Sequence, residues 1–203
     1  MKLYNSVGPN PHVVRMFIAE KGIDIPKVEV DLMKGENRQE AHLKRNPHGQ
    51  MPSLELDNGQ HVAEILPICE YLEDKHPKPA LIGANAEEKA ETRMWMRRID
   101  LNICEPMANG FRFSQGLPLF QSRIVTVPEA ADGLKKIAQD RLKWLDGQMA
   151  GKEFVCGSRF TLADILLYCF VAFGNQVGQP LNPEFKNLNA WFGKVKDRPS
   201  AKA

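Results

Sequence analysis

The rhythm of apolar and polar positions changes partway along the chain. Up to residue 78, strand-like and helix-like periods interleave. Lys2 to Asn5 predicts a short strand, followed by a loop containing Gly8, Pro9 and Pro11. Val13, Val14, Met16, Phe17 and Ile18 then form one helical face that ends at Gly22, a residue suited to terminate a helix. Lys27 to Leu32 alternates, with Val28, Val30 and Leu32 on one side. Strand, helix, strand implies a right-handed crossover and a parallel pair. Lys34 to Arg45 is polar and is expected to hold a short helix. Leu54 and Leu56 alternate with Glu55 and Asp57, and Asn58-Gly59 predicts a two-residue type I′ hairpin returning through His61-Val62-Ala63. After Glu64, Ile65, Ile68, Cys69 and Leu72 recur at helical spacing, with Pro67 in the first turn, where an N–H is dispensable. The order β-α-β-α-β-β-α describes a layered α/β domain over residues 1–78.

His76-Pro77-Lys78-Pro79 ends that pattern, and residues 79–86 read as a linker. From 87 to 203 only helical periods remain. Glu87 to about Phe113 reads as one long helix kinked at Pro106. Gly116 to Thr126 reads as a loop. Pro128 to Met149 places Leu134, Ile137, Ala138, Leu142, Leu145 and Met149 on one face. Thr161-Leu162-Ala163-Asp164 is a capping-box variant, with Phe160 and Ile165 at staple positions. The helix it opens is apolar nearly all round, so it should lie at the centre of an all-helical domain. Leu188, Trp191, Phe192 and Val195 mark a last amphipathic helix. Trp95 and Trp144 are assigned to core or interface.

Composition narrows the class. Of 203 residues, 43% are hydrophobic and 26% charged, as in globular proteins, and a net charge of +2 gives no argument for nucleic acid or membrane as a partner. No apolar run reaches transmembrane length, and Met1 to Ser6 lacks the apolar core of a signal peptide. Cys69, Cys104, Cys156 and Cys169 form no Cys-x-x-Cys pair and have no histidine at zinc spacing. They read as reduced core thiols of a cytoplasmic protein, with no metal site.

One stretch has the makings of a binding site. Unpaired N–H groups at the start of the helix after Glu64 attract a carboxylate. Glu64 suits an ammonium. Met51, held extended before Pro52, can offer N–H and C=O to a peptide as a strand edge does. The competing reading is an ordinary hairpin and helix, with Glu64 as a first-turn acid complementing the helix dipole.

Three motifs decide between them. Asn46-Pro47-His48-Gly49-Gln50-Met51-Pro52 resembles the cis-proline loop of cytosolic glutathione transferases. Glu64-Ile65 stands where that family has an acid–serine pair, and Phe160-Thr161-Leu162-Ala163-Asp164-Ile165 is similar to its capping box and staple. Met1-Lys2-Leu3-Tyr4 and Glu20-Lys21-Gly22 add to the likeness, which covers nearly the whole chain and is closest to bacterial-type members. It implies a thioredoxin-like N-terminal α/β domain followed by an all-α C-terminal domain. It also implies reduced glutathione as co-substrate with no prosthetic group, a small hydrophobic electrophile as partner, and a homodimer.

Transferred residue by residue, the resemblance implies a cis bond before Pro52 and Met51 pairing its backbone with the cysteinyl unit. Glu64 would meet the γ-glutamyl ammonium, and the Ile65 N–H its carboxylate. Gln50 and Asn37 would approach the glycyl end. Asp100 or Asn102 of a second subunit would reach the γ-glutamyl group. An acceptor pocket between the domains would draw on Met107, Phe111 and Phe113; core packing is the competing role for each.

The sequence departs from the family at two places. Ile65 replaces a serine, removing a hydroxyl donor to the carboxylate. The thiol activator, commonly Tyr, Ser or Cys, falls where this chain has Gly8-Pro9-Asn10-Pro11-His12. A free thiol titrates near about 8.5, so a donor or a helix N-terminus must favour the thiolate. Asn10 is the candidate; the alternative is an N-cap preceding Pro11 at N1. Ser6 is the runner-up. Tyr4 is expected to pack inside its strand, and His12 to be a solvated helix-start residue. Conjugation of glutathione as thiolate is the expected activity. Peroxide reduction, isomerisation and a non-catalytic binding protein remain open.

Overall fold

The computed structural model describes all residues from 1 to 203. The elements are β1 (Lys2–Asn5), α1 (Pro9–Lys21), β2 (Lys27–Glu29), a 3₁₀ turn (Glu36–Arg38), α2 (Glu40–Leu43), β3 (Ser53–Glu55), β4 (His61–Ala63) and α3 (Ile65–Lys75). They continue with α4 (Ala86–Ile99), α5 (Glu105–Arg112), α6 (Leu117–Phe120), α7 (Ala131–Gln148), α8 (Leu162–Gln176) and α9 (Lys186–Lys196). Two compact units result: residues 1–84 together with 199–203, and residues 85–198.

The first unit is a thioredoxin-like sheet of order β2-β1-β3-β4, with β1 and β2 parallel and the remaining pairs antiparallel. Leu3 pairs with Leu54 across β1 and β3. Both are fully buried, together with Val14 and Phe17 of α1 and Ile68 and Leu72 of α3. On the other side, Tyr4, Val30 and Met51 form a smaller apolar cluster covered by Leu32. Helix α1 stops where the sequence demands: Gly22 takes φ 62° and donates to Ala19, while Ile23 donates to Ile18, a Schellman closure.

Several sequence expectations are corrected here. The Asn58-Gly59 turn is not type I′, since Gly59 alone has positive φ (80°). Gly59 N–H donates to the Leu56 carbonyl at 3.0 Å and Leu56 N–H to Gln60 at 2.8 Å, giving a three-residue loop in which only glycine leaves the favourable region. Strand β2 is cut to three residues at the sheet edge, leaving Val28 exposed. The segment 79–84 belongs to the first unit: Leu81 and Ile82 are buried, and the Glu73 carboxylate accepts from the N–H groups of Leu81, Ile82 and Gly83. Residues 199–203, expected with the helical domain, cluster with the first unit instead.

The second unit is all helical. The long helix expected from 87 to 113 is α4 and α5 joined by a widened π turn (Asp100–Cys104), in which Glu105 N–H reaches Asp100. Pro106 explains it. Its ring crowds the carbonyl four residues back and offers no N–H, so the turn before it opens. The supposed loop 116–126 contains α6. Ile137 is exposed on α7, whereas Ala138, Leu142, Leu145 and Met149 are buried. Helix α8 is the buried centre, opened by the Thr161–Asp164 capping box.

Candidate functional site

Strand register brings the candidate residues together. Ser53 pairs with Tyr4 on one side and with Ala63 on the other. The residues before β3, after β1 and after β4 therefore leave the sheet at the same end. Met51-Pro52, Ser6 and the start of α1, and Glu64-Ile65 all emerge there.

The loop before β3 is shaped from within. Gly49 takes φ 62°, and a Cβ on it would stand 2.9 Å from the Asn37 carbonyl, so glycine is required twice over. Its N–H donates to the Asn46 carbonyl at 2.8 Å. The Met51-Pro52 bond is cis. The Met51 side chain is buried beside Tyr4 and Val30, while its backbone N–H and C=O make no hydrogen bond within the chain. The Gln50 side chain is exposed.

Glu64 is the only non-glycine residue with positive φ (71°, ψ 140°). Such a conformation costs about 1–3 kcal/mol and persists only where its surroundings impose it. Glu64 is the N-cap residue of α3, but its side chain makes no capping bond and is exposed. The first intrahelical bond runs from Ile68 N–H to the Glu64 carbonyl at 3.2 Å. Pro67 has no N–H, so the open donors of this helix start are those of Ile65 and Leu66. The start of α3 thus combines open backbone N–H groups with an acid turned outward beside them.

At the start of α1 the expectations change. The helix begins at Pro9 with Gly8 (φ 108°) as N-cap and no side-chain cap. Asn10 is therefore the second helical residue rather than the cap, and is half-buried. Ser6 donates its hydroxyl to the Val30 carbonyl at 2.6 Å, so its proton is already committed. Tyr4 packs inside, donating to Glu55 at 2.8 Å beneath the Arg45 guanidinium, and burial raises its phenol pKa. His12 is not a freely solvated residue: its Nε2 donates to the Ala201 carbonyl at 3.1 Å, and burial followed by the Arg15 charge lowers its pKa.

The remaining expected residues are dispersed. Asn37 is buried and donates to the Gly49 carbonyl at 2.6 Å, which makes it a support of the loop. Asp100 and Asn102 sit on the π turn, Asn102 exposed and donating to the Arg98 carbonyl at 2.8 Å. Met107 is fully buried in the second unit; a Cβ on Gly174 would meet its sulfur at 2.9 Å, so it is packing. Phe111 is half-buried, edge-on to Phe173 and Phe120.

All four cysteines are buried, and burial raises the Cys104 and Cys156 thiols above their ordinary value. No group of three or more His, Cys, Asp or Glu side chains is placed to hold a metal ion. No helix is long and apolar enough to cross a membrane. Sequence reasoning passed over His42 and gave Asn46 no role beyond its place in the loop motif, although both side chains reach the Gln50 carbonyl. Periodicity carries no signal for them, because both lie in the polar run before β3.

Known proteins resemble this chain in sequence and in fold. The family model for the glutathione S-transferase N-terminal domain matches residues 1–74, and that for the C-terminal domain residues 116–199. Glutathione S-transferase 2 of Saccharomyces cerevisiae is 29% identical over 207 residues, covering 100% of this chain and 88% of that protein. The maleylacetoacetate isomerase of Pseudomonas aeruginosa is 38% identical over 96 residues, covering 46% of this chain and 45% of that protein. The crystal structure of a glutathione S-transferase domain-containing protein from Marinobacter aquaeolei superposes with a TM-score of 0.93 at 33% identity, covering 99% of this chain and 100% of that one. With both family domains matched in order on this fold, the chain belongs to the glutathione S-transferase family.

Proposed function

We propose that this protein conjugates reduced glutathione, as thiolate, to small hydrophobic electrophiles. One observation carries the reading: the free N–H and C=O of Met51 and the open N–H groups of Ile65 and Leu66 lie at one end of the sheet, beside the outward Glu64. A peptide unit, a carboxylate and an ammonium match them in turn. Met51 pairs with the cysteinyl unit. Ile65 N–H takes the γ-glutamyl carboxylate, and Glu64 the ammonium. Gln50 reaches toward the glycyl end.

The Asn10 amide, free of any capping bond, donates to the sulfur and favours its anion. The thiol proton leaves to solvent. The thiolate pair then forms the S–C bond as the leaving group departs with its bonding pair or, in an addition, as the π pair displaced onto the neighbouring atom takes a proton. Binding the peptide portion contributes proximity. The working unit is a homodimer in which Asp100 or Asn102 of a second copy meets the γ-glutamyl group.

Isomerisation is the second reading, favoured by the similarity to an isomerase. Calorimetric titration with reduced glutathione tests binding, and turnover of a generic aromatic electrophile tests conjugation. Conjugation consumes one glutathione per product; isomerisation consumes none. Absence of glutathione binding at millimolar concentration overturns both.

A further inference from the structure

The peptide unit between Gln50 and Met51 is trans, since the cis bonds of the chain are Met51-Pro52 and Lys78-Pro79. A trans peptide is planar, with its C=O and N–H pointing in opposite directions. Whatever fixes the Gln50 carbonyl therefore fixes the direction of the Met51 N–H.

Two buried side chains converge on that carbonyl. Asn46 Nδ2 donates to it at 2.9 Å and His42 Nε2 approaches it at 3.4 Å. Their residues are 4% and 2% exposed. Neither side chain has room to swing. Asn46 also accepts the His48 N–H at 3.2 Å, and its own N–H bonds to the His42 carbonyl at 2.9 Å. His42 is held by its N–H to the Gln39 carbonyl at 2.9 Å. A carbonyl only accepts, so His42 carries its proton on Nε2. Its buried Nδ1 has no partner, and protonating it would bury an unpaired donor. Burial, then the nearby charges of Arg45, His61 and Arg38, favours the neutral ring.

We infer that Asn46 and His42 are positioning residues for glutathione: by clamping the Gln50 carbonyl they aim the Met51 N–H at the cysteinyl carbonyl. This rests on the glutathione reading above. The pair touches no reacting atom. Its contribution lies in binding the peptide, so the rate at saturating glutathione is left largely alone.

The test uses the full chain and reduced glutathione. Asn46→Asp keeps the acceptor to His48 but puts a carboxylate against the Gln50 carbonyl, turning the peptide. His42→Ala removes the second donor, and His42→Gln keeps a donor at similar reach. The expected results are a rise of roughly tenfold or more in glutathione Kd for Asn46→Asp, and a smaller rise for His42→Ala that His42→Gln largely reverses. The KM for the electrophile and the kcat at saturating glutathione stay within about threefold, and the Met51 amide resonance of the free protein moves in step with Kd. Unchanged Kd in folded Asn46→Asp and His42→Ala, with the wild-type protein binding glutathione, overturns the inference. So does a parallel loss in kcat and both KM values, which marks general damage. If Asn46→Asp does not fold, the two His42 variants decide alone. A wild-type protein that does not bind glutathione overturns the functional reading itself, and with it this role for the pair.

Discussion

Lys21 and Glu73 form an ion pair inside the first unit, with side chains 0% and 6% exposed. The pair joins the last turn of α1 to α3. Its surplus bonding capacity is directed at the chain that follows. Lys21 also donates to the carbonyls of His76 at 2.8 Å and Pro79 at 2.5 Å, and Glu73 accepts the N–H groups of Leu81, Ile82 and Gly83. Removing one partner leaves the other as a buried, uncompensated charge. Glu73→Ala is expected to cost about 3–5 kcal/mol, read from the urea midpoint. A loss below ~1 kcal/mol would mean that water replaces the carboxylate and that the pair does not hold residues 76–83.

A second buried acid controls stability through pH. Asp164 accepts from the N–H groups of Val155 and Thr161, the Thr161 hydroxyl and the Trp191 indole N–H. Burial dominates over those bonds and lifts its pKa from 3.8 to about 6. Between those values the folded protein keeps a proton that the unfolded chain has lost, so this group's contribution to stability falls as pH rises. Across that window the loss amounts to ~3 kcal/mol. Denaturation series at successive pH values should show the fall in the wild-type protein relative to Asp164→Asn. A constant difference between the two would sink the assignment.

The fold was legible because its signals are local and redundant. Val13 to Ile18 before Gly22, and Thr161 before Asp164, are helix boundaries written in side chains. What escaped the sequence depends on non-local geometry. Helix α1 begins at Pro9 because Gly8 adopts a φ closed to other residues, so Asn10 lost the capping role its neighbour Pro11 suggested. Ser6 and Asn37 are drawn into bonds with Val30 and Gly49, partners 24 and 12 positions away in the chain. No periodicity encodes such pairings. Met107 satisfied a helical apolar pattern that is the same for a pocket wall and a core, and packing against Gly174 decided it.

Glu64 holds strain in a place where function would need it. Glycine at position 64 adopts φ 71° without penalty, although it loosens the unfolded chain. Glu64→Gly is expected to leave stability unchanged or raise it by up to ~1 kcal/mol, while glutathione Kd rises by about tenfold or more. Glu64→Ala should lose affinity and keep the strain. A marked fall in the melting temperature of Glu64→Gly would show that the side chain stabilises the fold and that the conformation is not costly.

Ile65 marks a gain to be recovered. Its backbone N–H stands ready for a carboxylate, but its side chain offers no donor. Ile65→Ser supplies a hydroxyl beside the same N–H. A hydrogen bond to a charged group contributes about 1.5–3 kcal/mol, so glutathione should bind roughly tenfold tighter or better by calorimetry. Ile65 is only half-buried, which limits the stability lost with its apolar surface. Unchanged affinity would place the ligand carboxylate away from residue 65.

Asn10 separates the two roles a helix-start amide can have. Gly8 is the N-cap and no side chain caps α1, so deleting the Asn10 amide removes no capping bond. Asn10→Ala is expected to shift stability by no more than about 0.5 kcal/mol, as an uninvolved half-buried position would. Its effect belongs on the bound thiol. Without the donor, the glutathione sulfur should titrate at higher pH, so the thiolate absorbance of the complex appears later in a pH series. The rate with an aromatic electrophile should fall most at neutral pH and recover at alkaline pH, where the thiolate forms unaided. An unchanged thiol titration with an unchanged rate would move the activator elsewhere. Ser6 would first have to release the Val30 carbonyl to serve, which makes Ser6→Ala the control: it should lower stability without changing the thiol titration.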